Sequence, residues 1–170
     1  QECYKPCIFV VNKWDLGRKA QMTPEAWGEY LFSEFGSMRH VPVAFVTART
    51  GWNLRAVIRL ARSLHRQARR RVSTGPVNRA VREALLAHPP PFRRNKRPKI
   101  YYATQVGTEP PTLVLKCNDP ELFSAEWKRY LTNFLQERLG FPEVPLRLVF
   151  RAHHEPSPPP SLEEAPLSAG

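Results

Sequence analysis

The sequence predicts an α/β chain in which a parallel sheet with crossover helices is followed by a smaller α+β unit. Short runs of consecutive apolar, branched residues at 7–11 and 43–46 read as strands buried on both faces, as parallel sheets require. A helical pattern follows each run, and the order strand, helix, strand, helix closes into one sheet through right-handed crossovers. Beyond residue 72 the order becomes helix, strand, strand, helix, strand, which suits three strands with two helices on one face. Residues 1–72 and 73–152 are therefore read as two units, divided near 71–75.

Each element has a local reason. Cys7-Ile8-Phe9-Val10-Val11 ends at the polar Asn12. Thr23-Pro24-Glu25 supplies an N-cap, a proline at the first helical position and an early acid, opening a helix through Trp27, Tyr30, Leu31 and Phe35 to Gly36. In the helix expected over 53–71, Leu54, Val57, Ile58, Ala61, Leu64 and Ala68 form one apolar stripe. A helix over 76–87 is stopped by Pro89-Pro90-Pro91, and strands over 99–106 and 112–117 flank a Gly/Pro turn. A helix over 122–139 and a strand over 146–150 complete the unit. Trp27 and Trp127 lie on apolar stripes and are expected in the core. Residues 153–170 carry five prolines, no aromatic and a net charge of −3, and are read as a disordered Pro-rich tail.

Composition narrows the function. The 170 residues carry 26 Lys+Arg against 15 Asp+Glu, a net +11 made of +8 on residues 1–72, +6 on 73–152 and −3 on the rest. An excess of that size favours a polyanionic partner. The longest apolar run is five residues, far short of the roughly 20 that a spanning helix needs, so no membrane role is expected. Three cysteines, Cys3, Cys7 and Cys117, have no zinc-like spacing and read as reduced thiols in the cytoplasm, with no metal site. The chain opens on Gln1 and not on Met, as a piece of something longer would.

The chemistry lies where the first two strands end. Asn12-Lys13-Trp14-Asp15 follows the first strand directly and Thr47-Ala48-Arg49-Thr50-Gly51 follows the second, at the carboxyl edge where open α/β sheets bind ligands. The Asp15 carboxylate can accept from the ring N–H and exocyclic amine of guanine, a pair of donors that adenine does not present. The stem of Lys13 can lie along the base, Asn12 can touch the base and tie the two loops together, and the Ala48 N–H can meet the guanine carbonyl.

These residues resemble the fourth and fifth guanine-selecting motifs of translation-factor-type GTPases, with Thr47 where Ser is usual. Thr74 to Asn78, His88-Pro89-Pro90-Pro91, Lys99-Ile100-Tyr101-Tyr102-Ala103-Thr104-Gln105-Val106, Pro110-Pro111-Thr112 and Pro145-Leu146-Arg147-Leu148 are similar in order and content to the carboxyl-terminal KH-like domain of the Der (EngA) family of bacterial ribosome-assembly GTPases. The resemblance covers residues 5–152. It implies the back half of a P-loop-GTPase-type sheet followed by a KH-like domain, and GTP/GDP as ligand. It also implies Mg²⁺ in the complete protein, upstream GTPase domains, and a role in biogenesis of the large ribosomal subunit. No Gly-x-x-x-x-Gly-Lys-[Ser/Thr] or Asp-x-x-Gly occurs, so the chain alone is expected to be inactive as an enzyme.

Contact with ribosomal RNA is expected from basic clusters. Arg55, Arg59, Arg62, Arg66, Arg69 and Arg70 lie opposite the apolar stripe of the 53–71 helix, and Arg93, Arg94, Lys96, Arg97 and Lys99 crowd one loop. No Gly-x-x-Gly loop is present to clamp RNA as KH domains do. Tyr101 and Tyr102 could stack bases, although alternating strand aromatics are more often half core. The alternative reading is a stand-alone, non-enzymatic rRNA-binding or ribosome-binding module.

Overall fold

In the computed structural model, which describes residues 4–153, the two apolar runs become β1 (Phe9–Val11) and β2 (Val43–Phe45). They pair in parallel, with Phe9 opposite Val43 and Val11 opposite Phe45. Two helices lie between them. The first, α1 (Trp14–Lys19), has only six residues and too little periodicity to be read from sequence. Tertiary contact forms it: Trp14 is buried, its ring centroid sits 4.4 Å from that of Phe45, and its N–H donates to the Val46 carbonyl at 3.0 Å. The second helix, α2 (Pro24–Glu34), opens as its sequence predicts, the Thr23 hydroxyl accepting the Ala26 N–H. None of its residues is buried. Trp27, expected in the core, is only partly covered: its indole N–H donates to the Met22 sulfur at 3.1 Å and its ring lies edge-on to Tyr30.

The long helix α3 (Leu54–Ala68) begins just beyond the second loop and ends at the carboxyl-terminal half. Its apolar stripe is covered only at that far end. Leu64 and Ala68 are buried, whereas Leu54 is 39% and Ile58 56% exposed.

The carboxyl-terminal half has α4 (Thr74–Ala87), β3 (Ile100–Gly107), β4 (Thr112–Cys117), α5 (Ala125–Leu139) and β5 (Arg147–Ala152). The sheet order is β3-β4-β5, antiparallel and then parallel. Leu113, Leu115 and Cys117 alternate along β4 and share one core with Val77, Ala80 and Ala84 of α4 and Leu131 and Leu135 of α5. The helix expected over 122–139 is broken. Asp119 caps a 3-10 turn at Pro120–Leu122, and the Ser124 hydroxyl starts α5 afresh by accepting the Trp127 N–H. Gly140, at φ 80°, ends α5 in the left-handed region that favours glycine. Across the two helices the Arg138 guanidinium donates to Glu83 at 2.7 Å, and that hydrogen bond holds the Glu83 carboxyl below its ordinary value. The tail expected from residue 153 lies, apart from His153, outside the described residues.

Asn78 performs a task usually given to a neighbouring strand. Its amide accepts the Ala103 N–H at 2.9 Å and donates to the Ala103 carbonyl at 2.8 Å, closing the outer edge of β3 at a fully buried residue. Substituting Asn78→Ala leaves both groups unpaired, so thermal or urea unfolding should show a loss of about 2 kcal/mol. Near the loops, a Cβ at Gly17 would lie 2.9 Å from Cε3 of the buried Trp14 ring. Alanine gains about 1 kcal/mol of helix propensity over glycine, but the clash costs about 1–3 kcal/mol. Gly17→Ala should therefore lower the unfolding temperature and speed hydrogen exchange at the Asp15 amide.

Candidate functional site

The loops that follow β1 and β2 are latched to each other twice. The Asn12 side-chain carbonyl accepts the N–H of Lys13 at 2.8 Å and that of Ala48 at 3.1 Å. The Thr47 hydroxyl accepts the Asp15 N–H at 3.2 Å. Lys13 takes a left-handed conformation (φ 59°, ψ 35°) that turns the chain sharply into α1 and brings Asp15 into its first turn. Thr47 is buried, Asp15 is partly covered, and Asn12, Lys13, Ala48 and Arg49 are exposed. The structure thus gathers all six residues at the carboxyl end of the two-stranded sheet. One detail differs from the sequence expectation: the Ala48 N–H is already donated to Asn12, so a guanine carbonyl would have to share it or displace it.

Three supporting groups escaped the sequence reading. Asn53 donates from its side chain to the Phe45 carbonyl at 2.8 Å and closes the second loop behind β2. Trp52, whose carbonyl accepts the Thr47 N–H at 3.1 Å, carries the Arg18 guanidinium 6.0 Å from its ring centroid. Trp14 anchors the first loop from below. An apolar residue inside an otherwise polar Asn-Lys-x-Asp loop was the available signal for Trp14. The other two contacts depend on distant backbone and had none.

The basic candidates occupy two places. Arg59, Arg62 and Arg66 are exposed on α3, and no acid lies within ion-pair distance of them among the described residues. Arg69 differs from these three, since Glu109 lies 3.8 Å from its Nε and 4.0 Å from His65. Arg70 packs over Gly140, and its carbonyl accepts from the Gln105 side chain at 2.9 Å. In the second cluster, Arg93 and Lys96 bridge across a tight turn in which Arg94 and Asn95 both have positive φ. There Arg94 pairs with the Glu121 carboxylate, while Lys96, Arg97 and Lys99 are exposed.

Cys7 and Cys117 are free thiols, and burial pushes the Cys117 thiol above its ordinary value, which makes it a packing residue and not a nucleophile. No cluster of three or more His, Cys, Asp or Glu side chains that could hold a metal gathers among the described residues. No helix of the described residues is long and apolar enough to cross a membrane.

The family described as "KH-domain-like of EngA bacterial GTPase enzymes, C-terminal" matches residues 71–151. A protein named GTPase Der from Rhodopirellula baltica is 47% identical over 147 residues, 86% of this chain and 32% of that protein. GTPase Der of Moorella thermoacetica is 42% identical over 151 residues, 89% of this chain and 34% of its own length. That of Rippkaea orientalis is 39% identical over 145 residues, or 85% and 32%. The chain spans about a third of the length of these curated relatives. It belongs to the Der (EngA) family, matching a carboxyl-terminal portion of its members.

Proposed function

We propose that these residues supply the guanine-selecting half of a nucleotide site, together with an RNA-contacting region, in a cytoplasmic Der-type GTP-binding protein acting in biogenesis of the large ribosomal subunit. The observation that carries the reading is the double latch, Asn12 to Ala48 and Thr47 to Asp15, which brings one carboxylate and two exposed polar loops to a single sheet edge. The Asp15 carboxylate selects guanine by accepting two hydrogen bonds, and the Lys13 stem covers one face of the base. Phosphate binding, Mg²⁺ and hydrolysis belong to the complete protein, because the phosphate-cradling loop is not in these 170 residues.

In the complete protein, Asp15→Asn removes a charge-assisted pair of hydrogen bonds, each worth about 1.5–3 kcal/mol. GTP affinity measured by calorimetry should fall at least about tenfold, and discrimination against xanthine nucleotides should disappear. Unchanged selectivity would refute the assignment of Asp15. The 170-residue chain alone should show no GTP turnover.

The second reading, a non-enzymatic ribosome-binding module, draws on the three unpaired α3 arginines. Arg59→Ser, Arg62→Ser and Arg66→Ser together remove about three phosphate contacts, so large-subunit binding in sedimentation assays should weaken and lose most of its salt dependence. Tight salt-sensitive binding that ignores guanine nucleotides would favour the module. Binding that follows the nucleotide would favour the GTP-dependent protein.

A further inference from the structure

One face of the carboxyl-terminal sheet lies outside the main hydrophobic cluster. Leu113, Leu115 and Cys117 of β4 turn toward α4 and α5 and are fully buried, so Thr112, Val114 and Lys116 face the other way. The register extends this across the sheet: Lys116 lies opposite Tyr102 on one side and Arg151 on the other, and Thr112 lies opposite Gly107 and Arg147. The middle row, Thr104, Val114 and Val149, is made of small side chains; Val114 is buried, and the Thr104 hydroxyl lies 3.2 Å from that of Thr74 in α4.

A bulge changes what the upper end of this face presents. Ile100 is opposite Cys117 and Tyr102 is opposite Lys116, leaving Tyr101 as an extra residue between them. Regular alternation would send one of two adjacent tyrosines inward. Here neither enters the core: Tyr101 is 54% and Tyr102 45% exposed, and the Tyr101 ring lies 5.2 Å from that of His153, which follows β5. Two exposed aromatic rings therefore stand beside Lys116 and Arg151. No Asp or Glu occurs anywhere in β3, β4 or β5. Asp119, just beyond β4, accepts the Glu121 N–H at 2.9 Å. Arg147, at the opposite corner, has its guanidinium 5.9 Å from the Tyr4 ring centroid.

We propose that this face is a platform for a short single-stranded RNA segment, with bases stacking on Tyr101 and Tyr102 and phosphates meeting Lys116 and Arg151. Exposed rings beside acid-free cations fit unpaired bases on a phosphate backbone, whereas a duplex hides its base faces. The choice of RNA rests on the ribosomal reading above, but the residues invoked are neither the α3 arginines nor those of the 93–99 loop.

The test is fluorescence anisotropy of the 170-residue chain with a labelled oligouridine of about eight nucleotides and with a matching duplex, at several salt concentrations. Tyr101→Ala and Tyr102→Ala should each weaken single-strand binding about tenfold, with Phe at either position restoring it. Lys116→Ser with Arg151→Ser should lower the slope of log affinity against log salt by about 1.4, or 0.7 per phosphate. Thermal unfolding should be unchanged in the tyrosine variants, whose rings are outside the core. Undiminished binding by the double alanine variant, equal affinity for duplex, or no oligouridine binding would each overturn the platform. Large-subunit binding without oligouridine binding would refute the platform alone, and the converse would refute the ribosomal reading alone.

Discussion

The seating of Leu64 and Ala68, at the end of α3, against the carboxyl-terminal half is the contact on which the rest of the arrangement depends. Leu64 enters the same core as Val77, Leu135 and Phe141, and the Ala68 carbonyl accepts the Glu109 N–H at 3.1 Å. Polar groups seal the margin, with Gln67 donating to Glu143 at 2.6 Å while its carbonyl accepts the Glu143 N–H at 3.2 Å. Without this contact the amino-terminal sheet, two strands of three residues each, would have little to hold it to the larger core. The same helix starts at the Thr47–Asn53 loop, so one element of about 22 Å joins the loops that follow β1 and β2 to the three-stranded sheet.

Coverage along α3 divides the molecule energetically. The carboxyl-terminal half has alternation, caps and a buried amide bridge that agree with one another, the consistency expected of a well-specified fold. The amino-terminal half keeps large apolar groups in water, including Ile58, Tyr30, Val10 and Trp52. Its two loops are nonetheless held by local contacts: the Asn12 and Thr47 latch, the Asn53 side chain on the Phe45 carbonyl, and the Trp14–Phe45 ring contact. This sheet edge is therefore ordered even though the sheet behind it is small. The charge distribution follows a different logic, since Glu109 and Glu121 each engage an arginine at a turn while the middle of α3 stays cationic.

Local patterns were legible wherever residues near in sequence decide the outcome. The apolar runs behind β1, β2 and β4, the Thr23 cap, the order of strands and helices, and the Asn-Lys-x-Asp and Thr-Ala-x-x-Gly loops at strand ends all follow from periodicity and side-chain chemistry. Residues deciding matters across the chain were not legible. The six-residue α1 exists because Trp14 finds Phe45, and Trp27 stays out of the core, against Met22 and Tyr30 of its own neighbourhood. The break before α5 depends on the choice of Asp119 and Ser124 as caps, which an uninterrupted apolar pattern conceals.

The sequence by itself determined the fold class, the family and the chemistry placed at the first two strand ends, because those depend on residue type and spacing. Tertiary structure alone decided which half of the α3 stripe is buried, that the Ala48 N–H belongs to Asn12, and which arginines meet an acid. It also decided the direction of Tyr101 and Tyr102. A single extra residue in β3 overrides strict alternation, and only the pairing partner, Ile100 on Cys117 and Tyr102 on Lys116, reveals where that residue was inserted.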